Sequence, residues 1–415
     1  MRFLNDTQVE SIRESFGTPT YVYDQRELET AAQAVLAFPV PCRLVGRFAM
    51  KALPTAAVLR IFADQGLHFD ASSGFEAERA LLAGIDASRI QITAQELPKD
   101  LKGLVQRGVL FNACSLNQLR AYGGLFPGGE VSVRINPGKG SGHNNRTNTG
   151  GTASSFGIWH EKIDDVLAIA REFDLHLTGI HTHIGSGGDP EVWKYCANLV
   201  LDFAGRFPEL NRLSLGGGFK VARVEGEISA DLVQIGMALR PALEDFVSTR
   251  GAENFQLEIE PGTFLVANAG AILAEIVDIV DTGSEGYDFL KVDTGMTELL
   301  RPALYGAQHP LSVVAHGHPT ETEEVEYIVA GHCCESSDIL TPAPADPEGL
   351  APRRMAKAQV GDTLVIEGAG AYASALAGKN YNSFPEAAEV LIGRNGEPRL
   401  IRTRQRLEQF LINER

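Results

Sequence analysis

The sequence predicts an α/β protein with a (β/α)8 TIM-like barrel in its first part and a β-sandwich-like domain in its second. Three observations lead to this prediction. Eight strand-length apolar runs alternate with amphipathic helical segments, strand patterns with few helices follow, and polar residues recur where the first strands end. We expect the barrel to span residues 25–265. Residues 1–24 and 266–415 should form the β-rich domain, which would then include an N-terminal strand.

The first elements along the chain are a short helix and a strand. Residues 7–16 show helical periodicity, and residues 19–24 are typical of a strand that ends at Asp24. An aspartate at this point suits the N-cap of a helix, so we expect Asp24 to cap a helix over residues 27–36.

Strand-length runs and helical segments then alternate. The eight runs lie at residues 43–49, 67–71, 89–93, 109–113, 130–135, 176–183, 212–216 and 255–260. The helical segments between them include residues 75–84, 98–106, 162–173, 190–206 and 231–249. This alternation matches a (β/α)8 barrel in number and spacing. The alternative, an open doubly wound sheet, would normally begin with a glycine fingerprint after its first strand, and the sequence has none there.

The pattern changes after Gly262, where strands with turn signals replace the alternation. We expect strands at residues 272–281, 289–293, 324–330, 361–367 and 388–392. Proline and small residues crowd residues 341–352, which we interpret as a surface loop. A helix is expected at residues 404–412.

Composition and charge exclude several classes of function. The formal net charge of −16 argues against nucleic acid or an anionic membrane surface as a partner. No apolar run approaches the length of a membrane span, and the first residues are too polar for a signal peptide. The five cysteines are odd in number and form no disulfide pattern, so we predict a reducing, cytoplasmic location.

Polar residues and glycines recur where the predicted barrel strands end, which is the rim that collects functional groups in this fold. The set comprises Lys51, Asp70, His181, His183, Gly216, Gly217, Gly218 and Glu260. Lys51 follows the first of these strands and precedes a helical segment. That position suits a lysine that forms a Schiff base, and the alternative is a solvated lysine at a strand end.

The other rim residues suggest a flat, phosphorylated cofactor. The glycines at 216–218 could cradle a phosphate, because backbone without Cβ atoms can approach an oxyanion closely. His181 and His183 would share one strand face, where an imidazole could stack on a ring. A packed polar core and a metal site are the alternatives, but no zinc spacing is present and we expect no metal. Glu260 could pair with a protonated pyridine nitrogen, which completes the requirements of pyridoxal phosphate.

Motifs in a characteristic order run from about residue 19 to the end of the sequence. They are Phe48-Ala-Met-Lys-Ala52, Asp70-Ala-Ser-Ser-Gly-Phe-Glu76, residues 144–159, His181-Thr-His-Ile-Gly-Ser186, Gly216-Gly-Gly218, Glu260-Pro-Gly262, Val292-Asp-Thr-Gly-Met296, Arg301-Pro-Ala-Leu-Tyr-Gly306, Cys334-Glu-Ser-Ser-Asp338, Gly370-Ala-Tyr372 and Tyr381-Asn-Ser383. With these motifs the chain resembles the fold-type III pyridoxal-phosphate-dependent decarboxylases, most closely the bacterial diaminopimelate decarboxylases. The resemblance implies a fold like that of alanine racemase and ornithine decarboxylase.

The resemblance also implies a role for each matching residue around pyridoxal phosphate. Lys51 would form the Schiff base, His183 would stack on the ring, and Glu260 would pair with the pyridinium nitrogen. The further cofactor contacts that it implies are Asp70, Ser186, Gly216, Gly217, Gly218, Gly262, Tyr372 and Tyr381.

For the substrate, the resemblance implies a small amino acid whose distal carboxylate binds Arg301 and Tyr305, with Tyr372 also in its site. Cys334 is similar to a catalytic proton donor, and Glu335 is similar to a contact for the distal ammonium group. In the family both enter the neighbouring subunit's site, which implies a homodimer with shared active sites. The implied reaction is decarboxylation of the D-centre of meso-2,6-diaminopimelate to L-lysine, in lysine biosynthesis.

Three positions depart from the family pattern. Arginine usually follows Glu-Pro-Gly, whereas this chain has Thr263, and lysine usually precedes the Phe-Gly pair of the strand-five loop, where this chain has Ser155. Phe384 stands where diaminopimelate decarboxylases commonly have arginine. Fewer cationic groups favour the alternative of a related decarboxylase with another substrate, such as a basic D-amino acid or a carboxylated polyamine precursor.

Two other classes of protein share the expected fold. An amino-acid racemase would pair the pyridine nitrogen with arginine, and Glu260 argues against that. A non-enzymatic regulator is disfavoured because Lys51, His183 and Cys334 are all present together with Glu260. We interpret Glu298, which follows one of the motifs, as a surface carboxylate.

Overall fold

The computed structural model describes residues 1–138, 150–183, 189–319 and 321–415, and the chain divides into two units. The first, which we call the barrel unit, comprises Glu29–Val221 and Ile228–Leu265. The second, which we call the β-rich unit, comprises Met1–Leu28, Ala222–Glu227 and Val266–Arg415. The short segment Ala222–Glu227 therefore leaves the barrel sequence to join the other unit, which the periodicity of the sequence does not indicate.

Side-chain caps define the first elements of the chain. These elements are α1 (Asp6–Phe16), β1 (Thr20–Asp24) and α2 (Gln25–Leu36). Asn5 caps α1, since its side chain accepts a hydrogen bond from the N–H of Gln8. Asp24 Oδ1 accepts the N–H of Glu27 at 2.9 Å, which confirms the predicted cap of α2.

A closed barrel of eight parallel strands forms within the described part of the first unit. The sheet that contains it has nine described strands, which in chain order are β2 (Arg43–Ala49), β3 (His68–Ala71), β4 (Ile90–Ile92), β5 (Leu110–Ala113), β6 (Glu130–Asn136), β7 (Ile158–Trp159), β8 (His176–His181), β9 (Arg212–Ser214) and β10 (Gln256–Ile259). The short β7 pairs with β6, and the other eight strands follow one another until β10 pairs with β2 and closes the barrel. The predicted (β/α)8 barrel is confirmed.

Helices connect the barrel strands and bury one apolar stripe each. They are α3 (Ala56–Gln65), α4 (Gly74–Leu82), α5 (Leu101–Gln106), α6 (Leu116–Leu125), α7 (Ile163–Phe173), α8 (Pro190–Ala204) and α9 (Leu232–Ser248). Ser73, Ser115 and Asp231 start α4, α6 and α9, because their side chains accept backbone N–H groups of the first helical turn. In α3, Val58, Leu59 and the residues one turn later are buried.

A buried ion pair ties β2 to β10. Arg47 donates from Nε and Nη2 to the two carboxylate oxygens of Glu258, each at 2.8 Å. Burial alone would raise the pKa of Glu258, but the charge and hydrogen bonds of Arg47 lower it to about 2, so the pair stays ionised. Removing one partner would leave an uncompensated buried charge, at a cost of roughly 3–5 kcal/mol. The pair therefore keeps these two strands in register up to the ends that lead into the rim.

The β-rich unit is organised around the long strand β11. The remaining elements of the chain are α10 (Thr263–Val266), β11 (Gly270–Asp281), β12 (Asp288–Val292), α11 (Arg301–Tyr305), β13 (Leu311–Val314), β14 (Glu324–Ala330), β15 (Pro342–Ala343), β16 (Asp346–Leu350), β17 (Arg353–Ala356), β18 (Thr363–Glu367), β19 (Ala388–Ile392), β20 (Pro398–Arg402) and α12 (Leu407–Leu411). Within the described ranges, nine strands form one mixed sheet in the order β17-β14-β12-β11-β1-β19-β20, with β18 paired to both β11 and β13. The second part of the chain is thus mainly β, as predicted.

One prediction for this unit is wrong. Residues 341–352 were expected to form a loop, but they contain the hairpin β15–β16, in which Pro342 pairs with Leu350. Side chains of β16 alternate between exposed and half-buried positions, so backbone pairing forms this strand with little apolar signal in the sequence. Across the described ranges, no helix combines the length and apolarity that a membrane span requires.

Candidate active site

Lys51 lies where β2 gives way to a helical turn at the barrel rim. β2 ends at Ala49, whose N–H donates to the carbonyl of Pro261 at 3.2 Å, and a single 3₁₀ turn follows from Met50 to Ala52. Met50 and Ala52 are buried on either side of Lys51, whereas Lys51 itself is exposed. The anchored turn therefore presents the amine outside the core, where covalent chemistry can reach it.

The carboxylate of Glu260 is buried just beyond β10 and is held by two donors. Ser214 Oγ donates to Oε1 and His181 Nε2 donates to Oε2, both at 2.7 Å. Burial by itself would raise the pKa of Glu260, but the charge and hydrogen bond of His181 and the hydrogen bond of Ser214 lower it. Glu260 is therefore a fixed, ionised carboxylate.

Asp70, at the end of β3, is also buried, but its carboxyl group is mainly protonated, whereas that of Glu260 is ionised. Burial raises the pKa of Asp70 to about 8, the charge of Glu260 acts in the same direction, and a hydrogen bond with Thr93 opposes them. Its Oδ1 lacks a hydrogen-bond partner among the described residues. At neutral pH Asp70 is thus mainly a neutral acid that can donate a proton in a hydrogen bond.

The two histidines occupy different positions, contrary to the prediction that they share a strand face. β8 ends at His181, so His183 belongs to the loop beyond the strand. The prediction fails because the backbone leaves the sheet two residues before the apolar run ends. His183 is half-buried, and burial, followed by the charge of Lys51, holds its pKa well below the usual value. A neutral imidazole at this place suits stacking on a flat ring.

The glycine run at residues 216–218 follows β9 in a conformation that excludes side chains. Gly216 and Gly218 have φ angles of 72° and 109°. A Cβ on Gly216 would lie 2.5 Å from the carbonyl oxygen of Thr182, and one on Gly217 would overlap the carbonyl oxygen of Glu260. The run therefore presents bare backbone beside Glu260, as a phosphate cradle requires.

Gly262 and Ser186 are the remaining predicted cofactor residues of the barrel unit. Gly262 is buried, and its carbonyl accepts the N–H of Leu265 at 3.2 Å at the start of α10. Ser186 lies outside the described residues, as does the first part of the motif at residues 144–159.

Three predicted substrate residues come together within the β-rich unit. Arg301 and Tyr305 are the first and last residues of α11, so they lie one helical turn apart on the same face. Burial lowers the pKa of Arg301, and Tyr372 and Tyr305 are the groups whose charge opposes this most. Arg301 Nε is buried and has no hydrogen-bond partner in the described part of the chain. The cluster therefore contains a guanidinium N–H that is available to an acceptor.

Cys334, Glu335 and Tyr381 form an exposed group in the same unit. The hydroxyl of Tyr381 donates to Glu335 Oε2 at 3.4 Å, and the N–H of Cys334 donates to Asn382 Oδ1 at 2.9 Å. Tyr381 is 41% exposed, and its two partners in this group are also exposed. These bonds place the thiol and the carboxylate side by side on the surface of the unit.

Sequence reasoning missed two polar residues of the barrel site. Ser214 holds Glu260, and the guanidinium of Arg134 on β6 lies 4.9 Å from the ring centroid of Phe156 while its charge helps to lower the pKa of His183. Neither stands out in the sequence, because β6 and β9 contain other polar residues as well.

The residues that depart from the family pattern have plain structural surroundings. Phe384 stacks on His332 with ring centroids 3.6 Å apart and planes 6° from parallel, so it fills a packed position. Ser155 is exposed, and Thr263 starts α10.

The interpretation of Glu298 as a surface carboxylate is wrong. It is 1% exposed and accepts hydrogen bonds from two threonine hydroxyls, and burial raises its pKa to about 7.

Comparison with known proteins decides the family. The pyridoxal-binding domain of pyridoxal-dependent decarboxylases matches residues 26–267. The diaminopimelate decarboxylase of Streptomyces coelicolor is 37% identical over 409 residues, which cover 96% of this chain and 89% of that protein. The enzyme of the same name from Escherichia coli K12 is 36% identical over 409 residues, which cover 96% and 94%. The chain belongs to the pyridoxal-dependent decarboxylase family.

Solved decarboxylase structures agree with this assignment over both units. A crystal structure of diaminopimelate decarboxylase superposes with a TM-score of 0.90 at 34% identity and covers 98% of this chain and 96% of its own. The Helicobacter pylori diaminopimelate decarboxylase, complexed with L-lysine, gives a TM-score of 0.84 at 25% identity and covers 97% and 98%.

The cofactor of this decarboxylase family is pyridoxal phosphate, and the residues of the barrel rim fit it. The group needs an amine for its aldehyde, an acceptor for its ring nitrogen, a flat neighbour and a cradle for its phosphate. Lys51 offers an exposed amine, Glu260 an ionised carboxylate, His183 a neutral ring and residues 216–218 a bare backbone. Each requirement is thus matched by a group of the barrel unit.

Proposed function

We propose that this protein removes the carboxylate from the D-centre of meso-2,6-diaminopimelate, giving CO2 and L-lysine in lysine biosynthesis. The relatives that carry this activity in their names align with nearly the whole chain. The observation on which the proposal rests is Arg301, whose buried Nε lacks a partner among the described residues and whose charge interacts with Tyr305 and Tyr372. The distal carboxylate of the substrate would satisfy this guanidinium.

Bound pyridoxal phosphate supplies the sink for the electron pair that CO2 leaves behind. We propose that Lys51 would hold the cofactor covalently through its amine. Glu260 would hold the ring nitrogen through a hydrogen bond and favour its protonated form. His181 and Ser214 keep Glu260 ionised for this role.

The other proposed cofactor contacts fix the ring and the phosphate. His183, neutral because it is buried, would pack against the ring without repelling its cationic nitrogen. Residues 216–218 would hold the phosphate through their backbone, together with Ser186 and Tyr381. Asp70, whose raised pKa keeps it neutral, orients its neighbours by hydrogen bonding.

Arg301 also determines which carboxylate is lost. By binding the carboxylate that is retained, it would leave the other one as the carboxylate that is lost. A substrate without the distal carboxylate would leave a buried donor unsatisfied, which costs about 1–3 kcal/mol. The contact therefore favours dicarboxylates over simple basic amino acids.

We further propose that Cys334 protonates the α-carbon and Glu335 binds the distal ammonium group in the partner subunit of a homodimer. Their exposed placement beside Tyr381 supports a role outside their own subunit. Mixing and refolding the inactive variants Lys51→Ala and Cys334→Ala should then restore roughly a quarter of the activity, since half the dimers are mixed and each has one intact site. Sedimentation should show a dimer. A dimer that regains no activity would contradict shared sites.

The proposed location is the cytoplasm. All five cysteines are free, and burial raises the pKa of Cys114 to about 12 and that of Cys196 to about 11. Protonated, unpaired thiols of this kind are typical of a reducing compartment.

A related decarboxylase for a basic D-amino acid or a carboxylated polyamine precursor is the second candidate. Thr263 favours it, because the family pattern has an arginine at this position. The two candidates differ in product. Chromatography of the reaction with meso-diaminopimelate should show L-lysine with the wild-type protein and none with Lys51→Ala, and the absence of L-lysine from both would contradict the first candidate.

A further inference from the structure

A second buried arginine, Arg223, belongs to the β-rich unit through the segment Ala222–Glu227. Arg223 is 8% exposed, and its Nε donates to the carbonyl of Gly368 at 3.0 Å. Its backbone N–H donates to Glu227 Oε2 at 2.7 Å, and Arg2 Nη2 donates to its carbonyl at 3.0 Å. The position of Arg223 is thus set by its backbone and by one side of its guanidinium group.

The other side of this guanidinium is unsatisfied. Arg223 Nη2 is buried and has no hydrogen-bond partner among the described residues, and the same holds for Arg301 Nε and His309 Nε2. His309 uses its other ring nitrogen on the carbonyl of Glu367 at 2.9 Å. Three unpaired nitrogen atoms therefore occur on three buried or largely buried side chains of one unit.

Hydrogen bonds bring two of these side chains to consecutive residues, because Arg223 Nε binds the carbonyl of Gly368 and His309 Nδ1 binds the carbonyl of Glu367. The effects of charge agree with this and add Arg301 to the group. Burial lowers the pKa of Arg223 to about 9, and Arg301 adds to this shift while Glu227 opposes it. Burial, then Arg223 and Arg301, keeps the pKa of His309 well below its usual value. The groups around Arg223 therefore include the guanidinium charges of Arg301 and Arg2, the opposing carboxylate of Glu227 and the neutral ring of His309.

Such a cluster is costly unless an anion completes it. Each buried donor without a partner costs about 1–3 kcal/mol, and charged donors cost more. Glu227 offsets only part of the positive charge around Arg223, so the cluster favours an anionic ligand. A carboxylate has the planar pair of oxygen atoms that guanidinium groups bind.

We infer that Arg223 and Arg301 together form the subsite for the distal carboxylate of the substrate, with Arg223 as a specificity-determining residue. This inference rests on the proposed function for the identity of the carboxylate. It also gives a source for positive charge in a chain that has Thr263 where its family has arginine. Sequence motifs do not reveal Arg223, because it lies in no motif shared with the family.

The test compares holoenzyme variants on two substrates and one ligand. Meso-diaminopimelate has a distal carboxylate, D-lysine is the same chain without it, and pimelate is the dicarboxylate without amines. Arg223→Gln can still donate to Gly368 but has no charge, whereas Arg223→Lys keeps the charge. Arg404→Gln is the control, because Arg404 is a half-buried arginine of the same unit whose guanidinium donates to Phe16 and Thr20.

We expect Arg223→Gln to raise the KM for meso-diaminopimelate by roughly tenfold or more, with kcat little changed. The kcat/KM for D-lysine should stay near the wild-type value, and Arg223→Lys should recover most of the lost affinity. Calorimetry should show weaker pimelate binding in Arg223→Gln. Arg404→Gln should alter neither the KM nor pimelate binding.

Three results would overturn the inference. One is an unchanged KM for meso-diaminopimelate in Arg223→Gln. Another is an equal loss of kcat/KM on meso-diaminopimelate and D-lysine. A third is a KM for meso-diaminopimelate that is no lower in Arg223→Lys than in Arg223→Gln. Either of these two results would indicate a structural role for Arg223. If the wild-type protein does not act on meso-diaminopimelate at all, the proposed function fails, and pimelate binding alone then decides whether Arg223 belongs to a carboxylate subsite.

Discussion

Two carboxylates at the barrel rim, Glu260 and Asp70, are equally buried but differ in protonation. Glu260 has its pKa lowered by His181 and Ser214, whereas Asp70 has an unpaired oxygen and a pKa raised to about 8. Pairs of acids separated in this way are the usual means by which a site obtains one base and one neutral donor. The neighbouring residues shift the pKa values of the two acids in opposite directions. These neighbours distinguish the site from an ordinary polar barrel core.

Glu298 allows a test of burial through pH. Its pKa of about 7, raised from 4.5, means that the folded protein binds a proton more tightly than the unfolded chain. The free energy of unfolding should therefore fall as pH rises from 4.5 to 7. In Glu298→Gln this loss should disappear, because Thr294 and Thr297 can still donate to the amide oxygen.

Urea unfolding between pH 4.5 and pH 8 measures the effect. We expect the variant Glu298→Gln to gain roughly 3 kcal/mol on the wild-type protein across this range. Glu324→Gln is the control, since Glu324 is exposed, and its difference from wild type should not change with pH. If the free energy of unfolding of Glu298→Gln differs from that of the wild-type protein by the same amount at every pH, the pKa of this carboxylate is not raised.

Among the elements, the loop after β9 has a strict packing requirement. Gly217 lies against the carbonyl of Glu260, so a methyl group there must displace one of the two backbones. We expect Gly217→Ala to lower the free energy of unfolding by about 1–3 kcal/mol and to weaken cofactor binding. Chemical unfolding and titration of the apoprotein with pyridoxal phosphate, followed by absorbance, measure the two effects.

The matched control for this element is Gly124→Ala in α6. A Cβ at Gly124 meets nothing within 4 Å, and alanine is the better helix former, so stability should be unchanged or slightly higher. Wild-type stability and cofactor affinity in Gly217→Ala would show that the loop has room that the structure does not indicate.

Over the whole molecule, the sequence predicted features that depend on local pattern. The βα alternation predicts the barrel. Because parallel barrel strands end at one rim, it also predicts that Lys51 and Glu260 lie at the same rim. Features that depend on tertiary surroundings were missed. The hairpin at Pro342 is formed by backbone pairing, and the burial of Glu298 depends on packing that no periodicity reports. Arg223 follows the same rule, since it lies in a segment that leaves one unit for the other.

The most direct test of the account is CO2 release from the purified, cofactor-loaded protein. Meso-diaminopimelate would be compared with D-lysine, D-ornithine and carboxynorspermidine at equal enzyme concentration. We expect a kcat/KM for meso-diaminopimelate at least about tenfold above the others, because among these compounds it is the one with a distal carboxylate for Arg301. Release from another of these amines with none from meso-diaminopimelate would contradict it, and would show that the site is built for a different substrate.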